Sequence, residues 1–460
     1  MKKKITLELN EKIKNNNIIK SVGNGNISKA ASLLEQNFVD LSKLSNVQLE
    51  YKIKNQIKIL KEKFPGNNNL NLNNANNDVF RDLPNLKFSL NEVMEGIKKS
   101  KKNIASGPGN LSYDLLKLLI ALNVKVESDD IINIRQEITE FMNMLGSNKI
   151  PKSSMNLFTD NIIIKIPKNE HSDDIRPIGL INTWRKLFEI CASKMYNKDE
   201  LNKKLVGQYC LKQHAADMMI NNINKVIKKN EDFDKDLIIL DAKNAFGLLN
   251  IDNVLLEIKQ KVPQLFIPAN NFLSKGNGYT VGAVGEKNCI SEIKRNKGLI
   301  QGSPLSPLFY ALGIQNLLDT LYSEMNNKEI NPLSSGNNEL FCYMDDLNIW
   351  MDYDLVNNIF QILNNKGKEI GYEINFEKTW ILLGKSRSYN EALMKIENYK
   401  KFGINEESIK IHPDNLQEAF NNNIIFKEIY IGGINSYGKK IVGGYIGTSQ
   451  FIEFELNDKI

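Results

Sequence analysis

The segment that most constrains this chain is Leu340-Phe-Cys-Tyr-Met-Asp-Asp-Leu-Asn-Ile-Trp-Met, where an adjacent acidic pair interrupts two short apolar runs. Strand formers on both sides of a polar break specify a β-hairpin with Asp345 and Asp346 at its tip. Aspartate is also an ordinary turn residue. Taken alone, the pair is explained equally well as a solvated surface turn.

A second segment shifts that balance. In Asp236-Leu-Ile-Ile-Leu-Asp-Ala-Lys-Asn-Ala-Phe, the continuous apolar run Leu237–Leu240 reads as a strand covered on both faces, and it ends in Asp241. An aspartate at the end of such a strand can meet a carboxylate from a later hairpin. Carboxylates brought together repel, and a divalent cation relieves the repulsion. Hard cations such as Mg²⁺ take oxygen ligands and keep waters and substrate phosphates. Two of them about 3.5–4 Å apart can serve an in-line phosphoryl transfer.

The 460 residues allow more than one compact domain, and 42% hydrophobic residues supply a sizeable core. A net charge of +6, from 60 basic and 54 acidic residues, permits contact with a polyanion only if the basic residues are segregated in space. Cys191, Cys210, Cys289 and Cys342 form no Cys-x-x-Cys pair and there are three histidines, so a zinc knuckle is not expected and the thiols fit a reducing compartment. No apolar run approaches the roughly 20 residues that cross a bilayer, and Met1-Lys-Lys-Lys opens no leader. The expectation is an intracellular protein without membrane partners, nuclear or cytoplasmic not being distinguished. Residues 1–64 read as a polar helical extension with Ile53, Ile57 and Leu60 at helical spacing, and the Asn-rich stretch 65–80 as a linker. A basic turn from Lys101 to Asn110 then opens into a helix over Tyr113–Leu122. Ser306-Pro307 reads as an N-cap and first helical position, and Phe309, Leu312, Leu317 and Leu321 as core.

From about residue 85 to 450 the sequence resembles the reverse transcriptases, and most closely those of non-LTR (LINE-like) retrotransposons. Tyr343-Met-Asp-Asp looks like the family's catalytic turn, and Asp241 to Phe246 like its first catalytic strand. Gly298-Leu-Ile-Gln-Gly-Ser-Pro-Leu-Ser-Pro is similar to the segment between them. Ile166-Pro-Lys and Arg176-Pro-Ile-Gly-Leu resemble the fingers, Gly371 with Asn375 and Lys378-Thr379 the close of the palm, and Val442-Gly-Gly-Tyr-Ile-Gly-Thr a primer-grip segment. The chain departs from the pattern at Gly109, where an acidic residue is usual, and at Met344, where LINE enzymes more often carry Ala. Neither departure removes a candidate metal ligand.

The resemblance implies an α+β right-hand polymerase with a mostly antiparallel palm sheet: fingers and palm over 81–385, thumb and primer-grip region over 386–460. It implies RNA-directed DNA synthesis on an RNA template from a DNA or RNA primer, with dNTPs and two Mg²⁺ ions, for which Mn²⁺ can substitute. Asp241, Asp345 and Asp346 would hold metal, and Lys378 would protonate the departing pyrophosphate. Lys168 and Arg176 would bind the triphosphate, Gln301 and Gly302 would lie beside the nucleotide, and Phe246 would exclude a 2′-hydroxyl. Lys294, Arg295 and Lys297 are candidates for template phosphates, although such a cluster is more often just a solvated loop. Three other readings stay open: an RNA-dependent RNA polymerase, against which Phe246 argues, an inactive nucleic-acid-binding relative, and a group II intron or retron enzyme. No endonuclease, zinc or RNase H signature is visible.

Overall fold

The computed structural model describes residues 55, 57–64, 83–100, 107–109, 111–120, 129–167, 174–229, 235–273, 276–281, 290–295, 297–327, 338–421 and 437–457. The expected linker 65–80 and most of the extension 1–64 lie outside these residues, although 57–63 are helical as the spacing predicts. The described strands in chain order are β1 (Asn161–Pro167), β2 (Ile175–Ile181), β3 (Lys235–Leu240), β4 (Asn277–Val281), β5 (Ile290–Lys294) and β6 (Glu339–Tyr343). They continue with β7 (Asp346–Asp352), β8 (Trp380–Leu382), β9 (Ile409–Lys410), β10 (Gly438–Ile441) and β11 (Gly444–Gly447).

The chain divides into two compact units, the first made of Met1–Tyr196 and Ile258–Ser306 and the second of Asn197–Glu257 and Pro307–Ile460. In the first unit the sheet runs β2-β1-β4-β5. Leu60, Phe64, Ile163, Ile175 and Ile293 make a core cluster here. Asn182 ends β2 and starts the helix Thr183–Ala192 by accepting a hydrogen bond from Trp184 N at 2.9 Å, a side-chain N-cap.

In the second unit the sheet runs β6-β7-β3-β8-β9. The apolar run read from the sequence is indeed a central strand, and all six residues of β3 are buried. It pairs antiparallel with β7 and β8, and β6 pairs antiparallel with β7, but β9 runs parallel to β8. The sheet expected to be mostly antiparallel is therefore mixed. One face carries a cluster that includes Leu237, Ile239, Phe341, Trp350 and Leu382, covered by residues of the helix Ala215–Lys229 and of β10 and β11.

Two charged groups pin β3 from its start. Asp236 is 0% exposed and accepts hydrogen bonds from the Tyr399 hydroxyl at 2.7 Å and Gly384 N at 2.8 Å, with Lys395 Nζ at 3.8 Å. A buried carboxylate is tolerated only with partners of this kind. Ser306 departs from its predicted role: it is the first helical residue of Ser306–Gly313, and its hydroxyl donates to Ile300 O at 2.8 Å rather than capping.

Gly371 closes the short helix Lys368–Ile370 with φ +86°, and a methyl at its Cα would overlap the carbonyl of Leu248. Both strain and overlap fall on Gly371→Ala. It should lower the unfolding free energy by roughly 2–4 kcal/mol, read by denaturant titration of the second unit's tryptophans. A loss under about 0.5 kcal/mol would mean that this backbone approach is loose.

Candidate active site

Strand register brings three carboxylates together. The β3–β7 ladder ends with Leu240 opposite Leu347, so the next position places Asp241 across from Asp346. The β6–β7 ladder ends with Tyr343 opposite Asp346, leaving Met344 and Asp345 as a two-residue loop. Facing residues of an antiparallel pair have Cα atoms about 4.5–5.5 Å apart, so the three side chains rise from one end of three adjacent strands. Tight hairpins need positive φ in the loop, and Met344 supplies it at φ +57°, although glycine or asparagine is the easier choice.

The surroundings hold these groups in place. Asn375 Nδ2 donates to Asp241 Oδ2 at 3.1 Å, and Asn375 N donates to Asp241 O at 2.8 Å. Burial, then the charges of Asp345 and Asp241, push the Asp346 carboxyl up to about 6. Burial foremost holds the phenols of Tyr310 and Tyr372 well above their ordinary range, and both also feel the charges of Asp345 and Asp346. The Tyr372 hydroxyl lies 3.5 Å from Asp345 O, at the outer limit of a hydrogen bond. The Tyr310 hydroxyl is buried with no hydrogen-bond partner. Its ring stacks on Phe246 with centroids 4.7 Å apart and planes 25° apart. Phe246 is half-buried in the turn of helix Ala245–Leu248, five residues past Asp241. Lys378 is exposed at the end of the 3₁₀ turn Phe376–Lys378, three residues after Asn375.

Among the described residues no three or more His, Cys, Asp or Glu side chains already close into a metal cage. The donor set nevertheless suits a hard divalent cation. All three groups are carboxylates that repel each other, and Mg²⁺ completes its shell with waters and phosphates rather than protein. The unpartnered Tyr310 hydroxyl is the kind of buried group that an ion's water shell satisfies.

The first unit carries the other candidates. Arg176 is exposed on β2, opposite Ile166 of β1. Three residues on, Gly179 N donates to Gln301 O at 2.7 Å, which lays the Gln301–Gly302 loop along the same strand. Gly302 has φ +110°, and a Cβ there would sit 2.8 Å from Gly179 O, so only glycine fits this approach. Lys168 lies outside the described residues. Lys294 is exposed and Lys297 half-buried, but Arg295 departs from the expected solvated loop. It is 5% exposed, its Nη1 donates to Gly298 O at 3.3 Å, and burial followed by repulsion from Arg185 brings its guanidinium down to about 9.

Three features escaped the sequence. Neither Tyr310, which follows a core residue of its helix, nor Tyr372 carries a local signal in the sequence. On the second unit's sheet, Lys439 Nζ stands 3.3 Å and Lys410 Nζ 5.3 Å from the Trp380 ring. Trp380 pairs with Ile239, two residues before Asp241.

Residues 166–411, a little over half the chain, match the family described as "Reverse transcriptase (RNA-dependent DNA polymerase)", and the chain belongs to that family. Its class is thus nucleotidyl transfer, RNA-directed DNA synthesis in general, with nucleic acid as template and primer. Among solved structures the chain is similar to an apo telomerase from Candida tropicalis truncated from its C-terminal domain, at 14% identity and TM-score 0.36, covering 74% of this chain and 85% of that one. A second apo telomerase from Candida tropicalis matches at 13% identity and TM-score 0.37, covering 73% of this chain and 72% of that one. No curated protein matched the sequence. No helix among the described residues is long and apolar enough to cross a membrane.

The carboxylate crowding has a measurable consequence in metal-free protein. Asp346 should titrate near pH 6 instead of 3.8. Because the folded pKa is raised, the stability linked to this group is full below about pH 3.8 and is lost as the pH rises through about 6. Asp345→Asn removes one repelling charge and should lower that titration, followed by ¹³C carboxyl NMR. An unshifted midpoint in the variant would place the two side chains apart.

Proposed function

We propose that this protein is a reverse transcriptase of a LINE-like element that extends a primer 3′-hydroxyl with dNTPs on an RNA template. A bond forms between the primer oxygen and the α-phosphorus, and the bond to the β-phosphate oxygen breaks, releasing pyrophosphate. The observation that supports this reading is the ladder register that ends at Leu240 and Leu347, one residue short of Asp241 and Asp346, beside the Asp345 loop, in a chain of this family. Asp241 and Asp345, with Asp346 beside them, would hold two Mg²⁺ ions, or Mn²⁺ in their place. Bound there, the ions would stabilise the attacking and leaving oxygens.

The remaining roles belong to the chain itself. Asn375 orients Asp241 through the 3.1 Å hydrogen bond. Phe246, backed by the Tyr310 ring, fills the space of a 2′-hydroxyl and offers it no hydrogen-bond partner, which favours dNTPs over rNTPs. Arg176 and Lys168 bind the triphosphate, Arg by its planar fork and Lys as a point charge. Gln301 and Gly302 flank the nucleotide, and Lys378 gives a proton to the departing pyrophosphate. Lys294 and Lys297 remain candidates for template phosphates. Lys410 and Lys439, which make no ion pair among the described residues, add a basic, aromatic-backed patch suited to a nucleic-acid backbone. In this reading fingers and palm span 81–385 and the thumb 386–460. The LINE-like origin rests on the motif series of the sequence, with Val442–Thr448 as its last member.

The test is extension of oligo(dT) on poly(rA) with Mg²⁺ and dTTP. Asp345→Asn should lower synthesis by at least about a hundredfold, and wild-type levels in that variant would refute the role given to Asp345. Phe246→Val should raise rNTP use relative to dNTP by roughly tenfold or more. An unchanged ratio would return Phe246 to plain packing against Tyr310.

A further inference from the structure

The first unit buries an ion pair that its core alone does not need. Arg185 and Glu189 lie one turn apart on the helix Thr183–Ala192, at 1% and 0% exposure, with Arg185 Nε donating to Glu189 Oε1 at 2.7 Å. Replacing such a pair with apolar residues of similar volume is often neutral or stabilising. Here the pair has a further connection. Arg185 is fixed by Phe158 O at 3.4 Å, Phe272 O at 3.5 Å and the face of the Phe272 ring at 4.9 Å. It consumes one oxygen of Glu189, and the other oxygen faces the loop that follows Gly298. Glu189 Oε2 accepts from the Ser303 hydroxyl and, at 3.4 Å, from Leu305 N.

That loop is held at two further points, Gly179 N to Gln301 O at 2.7 Å and Ser306 Oγ to Ile300 O at 2.8 Å. Leu299, Ile300 and Leu305 are buried, whereas Gln301 is half-buried and Gly302 exposed. The grips therefore surround the two residues assigned to the nucleotide and leave those two open. We infer that Glu189 is a positioning residue that sets the Gln301–Gly302 loop through Ser303, and so acts on nucleotide binding without touching the nucleotide. The inference rests on the polymerase reading above. A rigid side chain supported by a buried charge pair holds a loop more closely than apolar packing, which is non-directional.

The test is steady-state primer extension by the full chain with dTTP varied, comparing wild type, Ser303→Ala and Glu189→Gln. Both variants should raise KM for dTTP about tenfold, with kcat and template–primer Kd changed less than about twofold. Amide exchange should quicken at residues 299–305 and stay unchanged in β3. Ser303→Ala removes one hydroxyl and decides the matter if Glu189→Gln does not fold. Unchanged KM in folded, active Ser303→Ala, or KM, kcat and Kd moving together with a lower Tm, would overturn the inference alone. No incorporation by wild type would overturn the polymerase reading and this inference with it.

Discussion

The register between β3 and β7 is the constraint on which the rest depends. Side chains alternate along a strand, so a slip by one residue would turn every β3 side chain to the opposite face. All of β3 is buried, which leaves no face able to accept that slip. Asp236 and Asp241 are five positions apart and so project to opposite faces. Asp236 is consumed in structure by Tyr399, Gly384 and Lys395. Asp241 lies just past the other end, next to the last β3–β7 pair and within reach of Asn375. One strand thus carries a buried carboxylate held by structural partners near its start and, just past its end, a second carboxylate held by Asn375.

This arrangement works against stability. Crowding partly buried carboxylates at one sheet edge is unfavourable, as the raised Asp346 carboxyl shows. Met344 adds a left-handed backbone at the tip of the hairpin. Rule-breaking of this kind gathers at functional sites and is offset elsewhere. Here the offset comes from the continuous apolar core of β3 and its neighbours.

The sequence made the local signals legible and hid the distant ones. The apolar run Leu237–Leu240 and the runs around Asp345 each carry their own strand pattern, so the hairpin and the central strand could be read directly. Glycines with positive φ, such as Gly302 and Gly371, sat inside motifs already noticed. The parallel pairing of β9 with β8 could not be read, because β9 is two residues long and its paired residues lie 28 positions upstream. Arg295 looked like a surface charge because nothing local marks a buried guanidinium. Its environment comes from Arg185, Asp160 and Glu189, more than a hundred residues away. The same holds for Tyr310, whose ring is indistinguishable from core until Phe246 and Asp345 are placed beside it.

The central claim is that the end of β3 and the β6–β7 loop share divalent ions. The most direct measurement is a Mn²⁺ titration by EPR, with template–primer and a non-hydrolysable dNTP present, on wild type, Asp241→Asn and Asp345→Asn. A shared centre predicts that either substitution weakens Mn²⁺ binding by tenfold or more, roughly, with no simple addition of the two losses in the double variant. Wild-type Mn²⁺ affinity in either single variant, or strictly additive losses, would contradict it.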